Sequence, residues 1–168
     1  MKVIGSVREN LDVEKRISIT PETAKKLVNL KFTVFLEENY GKHLGIADED
    51  YKQHGVNLLS SANEVFVKSD VIFKVNFLSS NEINLIKDKS ILVGQFNLSS
   101  NKEILNKLIK KEIKIFSLDL LPRITRAQSM DVLSSQANLA GYRAIIESVN
   151  EFGKAIPMMM TAAGTVTP

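Results

Sequence analysis

The sequence contains no cysteine, which excludes disulfides, thiolate metal sites and a thiol nucleophile from this chain. Its two histidines, His43 and His54, have no ligand spacing, so we interpret them as surface or turn residues and expect no metal site. No apolar run approaches the roughly 20 residues that a helix needs to cross a bilayer. The amino-terminal MKVIGSVREN turns polar too early for a signal peptide. We therefore expect a soluble chain.

Nucleic-acid and dinucleotide signatures are also missing. The formal net charge is only +3, and basic and acidic residues are interspersed along the chain. That pattern is typical of solvated surfaces, so we expect no nucleic-acid partner. The glycines in GYR and AAGTV do not fit a G-x-G-x-x-G pattern after a strand, so the dinucleotide-binding fingerprint is absent.

What the sequence does contain is an alternation of apolar strand candidates and helix candidates. The 168 residues are 44% hydrophobic, enough for one domain with a sizeable core. The strand candidates are KVIGSV, FTVFLEE, VNLL, DVIFKVNF, SILVGQF and KIFSLDL, and the helix candidates include SITPETAKKLVNL, DEDYKQHG and NKEILNKLIKK. This alternation predicts an α/β fold, a Rossmann-like or flavodoxin-like, mostly parallel sheet with helices on both faces.

Local capping signals mark the helix starts. Thr20 fits an N-cap, with Pro21 at the first helical position. Three capping boxes follow strand candidates, each formed by a serine and the glutamate three residues later: Ser61 with Glu64, Ser79 with Glu82, and Ser100 with Glu103.

After SLDL the pattern changes to a polar loop, a long helix and a tail without helical or strand period. The helix is predicted from about Val132 to Phe152, with small residues along one face. We predict three segments: an α/β subdomain over residues 1–131, a long linking helix over 132–153 and a linker over 154–168.

The polar loop RITRAQSMD is the strongest candidate site. In one interpretation it only caps the following helix, through Ser129 or Asp131. In the other, Arg123 and Asp131 form a hydrogen-bonded pair, and Gln128 and Ser134 add neutral donors and acceptors. Such a set suits a planar amide or a ribose better than a phosphate, because the loop has no glycine to expose backbone N–H groups.

Two cations lie near strand ends at the start of the chain and in its middle. Arg16 follows the first strand candidate, and Lys74 ends DVIFKV. Together they could clamp an anionic substrate at the carboxyl ends of the strands, where ligands of such sheets bind. For an isolated lysine, however, plain solvent exposure is the favoured interpretation.

Several long segments together resemble one family. PRITRAQSMDVLSSQANLAGYRAIIE is closely similar to the signature segment of the NAD(H)-binding domain I of the alpha subunit of proton-translocating NAD(P) transhydrogenase. RISITPETAKKLVNLKFTVFLE, SDVIFKVN and IPMMMTAAGTVTP resemble the same family, so the resemblance covers essentially the whole chain.

The resemblance implies roles for the polar loop. Arg123, Gln128 and Asp131 are its implied catalytic residues, and with Ser129 and Ser134 they are implied to bind the nicotinamide end of NAD(H). The arginine and serine are expected near the carboxamide, and the aspartate is expected to orient the arginine. The glutamine is expected to bridge toward NADP(H) on the beta subunit.

The resemblance also implies an assembly. The expected activity is hydride transfer between NAD(H) and NADP(H), coupled to proton movement across a membrane. The implied partners are the beta subunit with its membrane domain, the remainder of the alpha subunit, and a second copy in a homodimer. The implied location is peripheral, on the cytoplasmic side of the inner membrane. A Gly-rich Rossmann domain is expected beyond residue 168, so we expect the isolated chain to bind NAD weakly and to be inactive alone.

Two alternatives stay open. Alanine dehydrogenases share the amino-terminal subdomain, and there the equivalents of Arg16 and Lys74 grip the amino or keto acid while a histidine acts as acid and base. Here GQFNLSS offers Gln95 and Asn97 in place of that histidine, and a neutral amide cannot shuttle the proton. The third possibility is a non-catalytic, truncated domain that only binds a partner.

Overall fold

A computed structural model describes residues 2–98, 102–154 and 156–167 of the chain. Six strands form one sheet: β1 (Val3–Ser6), β2 (Thr33–Glu37), β3 (Asn57–Leu59), β4 (Val71–Phe73), β5 (Ile91–Gly94) and β6 (Lys114–Ser117). Their spatial order is β3-β2-β1-β4-β5-β6, and every neighbouring pair is parallel. This is the Rossmann strand order, with the chain direction reversing between β1 and β4. The predicted α/β fold is confirmed.

Six α-helices accompany these strands in the described part of the chain. They are α1 (Pro21–Asn29), α2 (Asp48–Lys52), α3 (Ala62–Lys68), α4 (Ser80–Leu85), α5 (Lys102–Lys110) and α6 (Val132–Glu151). Short 3-10 helices occur at Lys42–Leu44, Leu118–Leu120 and Thr125–Met130. None of the helices described is both long and apolar enough to cross a bilayer.

The sheet has a hydrophobic core on each side. On one side Phe66, Ile72 and Leu92 are fully buried under α3, α4 and α5. On the other side Val34, Leu36 and Tyr51 pack under α1 and α2. Successive strand residues alternate between the two cores, as the pleat requires. The prediction of helices on both faces is therefore confirmed.

Two of the predicted helix caps form as expected. The Thr20 hydroxyl accepts the first-turn N–H of Thr23 at 3.2 Å, and Pro21 opens α1. Ser79 and Glu82 form a complete capping box, since Ser79 Oγ accepts from Glu82 N at 3.3 Å and Glu82 Oε2 accepts from Ser79 N at 2.7 Å.

The other two capping boxes have different outcomes. Ser61 Oγ accepts from Glu64 N at 3.4 Å, but the Glu64 carboxylate accepts instead from Ser60 Oγ and Lys68 Nζ, so only half of that box forms. The box predicted at Ser100 lies outside the described residues.

The chain divides into two compact units, residues 1–121 and 122–168. We call them the sheet unit and the loop–helix unit. In the loop–helix unit α6 is followed by an antiparallel hairpin of β7 (Met159–Thr161) and β8 (Gly164–Val166). The prediction that the tail has no strand structure is wrong there, because strands of three residues are too short to show a period of two. The segment boundaries proposed at residues 131 and 153 stay predictions.

Candidate functional site

A cavity of about 600 Å³ lies at the carboxyl ends of β1 and β4, where the chain direction in the sheet reverses. We call it the switch-point cavity. Its polar lining includes Arg8, Glu9, Glu37, Lys74, Asn76 and Glu82. Such a crevice is where doubly wound sheets hold their ligands, so its charges decide what it can bind.

Lys74 is buried in this cavity, with only 5% of its side chain exposed. Its Nζ donates to Glu82 Oε1 at 2.7 Å and lies 3.6 Å from Glu9 Oε2. The interpretation of Lys74 as solvent-exposed is wrong. The two carboxylates compensate a charge that burial would otherwise make very costly.

The two carboxylates that face Lys74 respond in opposite ways. Burial raises the pKa of Glu9, and the charge of Lys74 and the N–H of Val75, which donates to Glu9 at 2.7 Å, offset this only in part. Burial acts in the same direction on Glu82, but the hydrogen bond from Lys74 outweighs it, so the pKa of Glu82 is lowered. Neither glutamate was singled out from the sequence as a partner of Lys74.

Arg16 does not join Lys74 in a clamp. Its Nε and Nη2 donate to the two carboxylate oxygens of Glu14 at 2.8 and 2.6 Å. Glu14 is buried, and the hydrogen bonds from Arg16 lower its pKa despite that burial. Both cations are thus already paired with carboxylates, and Arg16 is outside the lining of the switch-point cavity.

The carboxyl ends of β5 and β6 carry a further polar group that sequence reasoning missed. Asp119 accepts hydrogen bonds from the N–H of Phe96 at 3.0 Å and from the Ser117 hydroxyl at 2.5 Å. Burial opposes ionisation of Asp119, but these bonds lower its pKa overall. The available signal was its place in SLDL, directly after a strand and one strand away from Gln95 and Asn97.

The polar loop forms a separate cavity of about 330 Å³ that lies entirely within the loop–helix unit. We call it the loop cavity. Three of the predicted residues line it together: Arg123, Gln128 and Asp131. The Gln128 side chain makes no hydrogen bond to the described residues, so its amide is available to a ligand.

Asp131 is the N-cap of α6. Its Oδ1 accepts from Ser134 N at 2.9 Å and its Oδ2 accepts from Ser134 Oγ at 2.6 Å. These bonds lower the pKa of Asp131, and the charge of Arg123 adds a smaller effect in the same direction. The direct hydrogen bond expected between Arg123 and Asp131 is not present in the described part of the chain. Ser134 has taken both oxygens, so Arg123 acts on Asp131 only through its charge.

The remaining predicted residues are placed as follows. Ser134 joins the loop cavity indirectly, through Asp131. Ser129 is exposed and is neither the N-cap of α6 nor part of the cavity lining. His43 is exposed on a short helix, where Nε2 lies 2.8 Å from the carbonyl oxygen of Lys15, consistent with a surface or turn residue. The roles of these residues toward NAD(H) stay predictions.

Comparisons with known proteins agree on one family. The model of "Alanine dehydrogenase/PNT, N-terminal domain" matches residues 5–140. The first portion of the NAD(P) transhydrogenase alpha subunit of Rhodospirillum rubrum, a separate polypeptide, is 42% identical over 170 residues, covering 98% of this chain and 44% of that protein. The crystal structure of transhydrogenase from Sinorhizobium meliloti matches with a TM-score of 0.88 and 38% identity, covering 98% of this chain and 49% of that one.

Alanine dehydrogenases are more distant. The enzyme of Methanococcus maripaludis is 28% identical over 143 residues, which cover 85% of this chain and 38% of that protein. The chain therefore spans less than half the length of each relative named here. With a family model over most of its length and a transhydrogenase fold at 38% identity, the chain belongs to the alanine dehydrogenase/PNT N-terminal domain family, on its transhydrogenase side.

Proposed function

We propose that the chain is the amino-terminal part of the NAD(H)-binding component of a proton-translocating NAD(P) transhydrogenase. One observation carries this proposal. Arg123, Gln128 and Asp131 line a single cavity, and its polar groups are neither glycine-rich nor phosphate-like. A guanidinium, a free amide and a carboxylate match the donors and acceptors of a nicotinamide carboxamide and a ribose.

The chemistry in this proposal needs orientation and no proton transfer. NAD(H) supplies a hydride that passes to NADP(H) bound on a partner subunit, and both nicotinamides must face each other. Arg123 and Gln128 would hydrogen-bond the carboxamide and fix the ring plane, which is mainly a proximity effect. Asp131 would keep the cationic Arg123 near the cavity through its charge.

The alanine dehydrogenase alternative is less well supported. An oxo-acid substrate needs free cations, yet Lys74 is held by Glu9 and Glu82, and Arg16 is held by Glu14. Gln95 and Asn97 also stand where the acid/base histidine is expected, and neither can carry a proton at neutral pH. We expect no turnover of pyruvate, ammonia and NADH.

The test uses a chimera in which this chain replaces the matched segment of the Rhodospirillum rubrum relative. With the partner subunits present, it should transfer hydride from NADH to an NADP analogue whose reduced form has a distinct absorbance. Asp131→Asn should slow this transfer about 10- to 100-fold, the equivalent of about 1.5–3 kcal/mol for a lost charged interaction. In sealed vesicles, the rate should respond to an imposed proton gradient.

Asn is as good an N-cap as Asp, so Asp131→Asn separates charge from helix capping. The matched control is Ser135→Ala, because Ser135 Oγ bonds only the Asp131 carbonyl at 3.1 Å and is outside the cavity. An Asp131→Asn chimera with an unchanged rate would reduce the loop to a helix cap and refute the proposal.

A further inference from the structure

One side of the sheet is only half covered. On the side of α1 and α2, strands β4, β5 and β6 present two rows of aligned residues, Val71–Ile91–Lys114 and Phe73–Val93–Phe116. Phe73, Ile91 and Val93 extend the core beneath α1 and α2. We call Phe73, Ile91, Val93, Lys114 and Phe116 the open sheet face.

Exposure rises along both rows toward the β6 edge. In the first row Val71 is 9% exposed, Ile91 is half-buried and Lys114 is exposed. In the second row Phe73 and Val93 are half-buried, and Phe116 is 58% exposed. On the opposite side the row Ile72–Leu92 is fully buried. The open sheet face is thus apolar but lacks the cover that the rest of the sheet has.

The topology explains why this area is bare. Parallel crossovers are right-handed, so the helices of β1→β2→β3 lie on one side of the sheet and those of β4→β5→β6 on the other. Accordingly α1 and α2 pack against β2 and β3, whereas the buried residues of α3, α4 and α5 belong to the opposite core. Within the sheet unit, no described helix packs on the open sheet face.

We propose that the open sheet face is a docking site for an amphipathic α-helix supplied by another polypeptide segment. The first and third strands are roughly 10 Å apart, which matches the diameter of one helix. Strands of three to four residues span about 10–13 Å, or about two helical turns. The fitting helix has an aliphatic stripe against Phe73, Val93 and Phe116 and an acidic residue opposite Lys114.

The relatives show that chain of the right kind exists in this family. The Rhodospirillum rubrum subunit and the Sinorhizobium meliloti chain are each more than twice as long as the part that this chain matches. The proposal does not depend on NAD(H) binding by the loop cavity, because the open sheet face belongs to the sheet unit alone.

The test uses the full chain and overlapping synthetic peptides of about 20 residues, long enough to form a helix. The peptides cover the part of the Rhodospirillum rubrum subunit that lies outside the match. We expect a peptide with an apolar stripe of helical period to bind, and hydrogen exchange to slow at residues 91–93 and 114–117. Phe116→Asp should weaken this binding at least about tenfold, since buried aromatic anchors dominate such contacts.

The control variant is Leu30→Asp, which places the same charge on a residue that is 68% exposed at the end of α1. It should leave peptide binding unchanged. Absence of any binding peptide, or equal losses in the two variants, would overturn the proposal. So would a dimer of the chain alone that Phe116→Asp dissociates, because the occupant would then be a second copy.

Discussion

Replacing Lys74 by Met tests the charge network of the switch-point cavity most directly. The side chains have similar length, so the change removes a charge with little change in packing. It leaves Glu9, of which 5% is exposed, and Glu82, of which 22% is exposed, without their shared cation. Removing one partner of a buried pair costs about 3–5 kcal/mol. Because Glu82 keeps some solvent contact, we expect about 3 kcal/mol for Lys74→Met at neutral pH.

The destabilisation by Lys74→Met should depend on pH with a definite sign. In the native chain the pKa of Glu82 is lowered, so its contribution to stability is present above its unfolded pKa and is lost as the pH falls through the folded value. In Lys74→Met both carboxylates are buried without a cation, which raises their pKa values, as burial already does for Glu9. The variant should therefore regain stability on acidification from about pH 7.5 to about pH 5, while the native chain does not.

Urea unfolding followed by far-UV circular dichroism at the two pH values measures both effects. The control is Lys26→Met, since the Lys26–Glu22 pair is exposed on α1 and should contribute nothing measurable. A Lys74→Met loss below about 1 kcal/mol and equal at both pH values would mean that water solvates the network, contrary to its burial.

Three further outcomes follow from single contacts. Tyr40→Phe should destabilise the chain by about 1–3 kcal/mol in urea titrations, because the half-buried Ser18 N–H and the buried Ser6 hydroxyl lose a hydrogen-bond partner. Gly94→Ala should cost more than a usual overpacking change of about 1–3 kcal/mol and lower the melting temperature, since its Cβ would collide with the Lys74 carbonyl oxygen. Asp70→Asn should flatten the loss of stability on acidification, because the pKa of Asp70 is lowered by the strand amide that donates to it, so its contribution disappears as the pH falls.

The strand and helix pattern was predictable because its causes are local. The apolar runs set the strands, and the Thr20 and Ser79 caps fix helix starts through residues three positions away. The order of the strands was predictable only as a class, since the alternation of elements fits both the Rossmann and the flavodoxin arrangement. The structure decides between them through the pairing of β1 with β4.

The charge network was not predictable because its partners are distant in sequence. Glu9 and Val75, which share a hydrogen bond, are 66 residues apart. No local pattern shows that the loop after β1 would fold over the end of β4. At the loop cavity the Asp131–Ser134 contact spans only three residues and follows from capping rules. The position of Arg123 does not, so the expected Arg123–Asp131 hydrogen bond was wrong in detail.

The two cavities differ in how their charges are balanced, and this difference bears on their roles. In the switch-point cavity each cation is neutralised by a carboxylate of the same chain, as in the Lys74–Glu82 pair. Such charges stabilise the fold and leave little for a ligand. In the loop cavity the Gln128 amide is unbonded to the described residues, and Arg123 is attracted to Asp131 without being held by it. Uncommitted polar groups in a cavity are those that a ligand can use, so the loop cavity is the better candidate for nicotinamide binding although it is the smaller of the two.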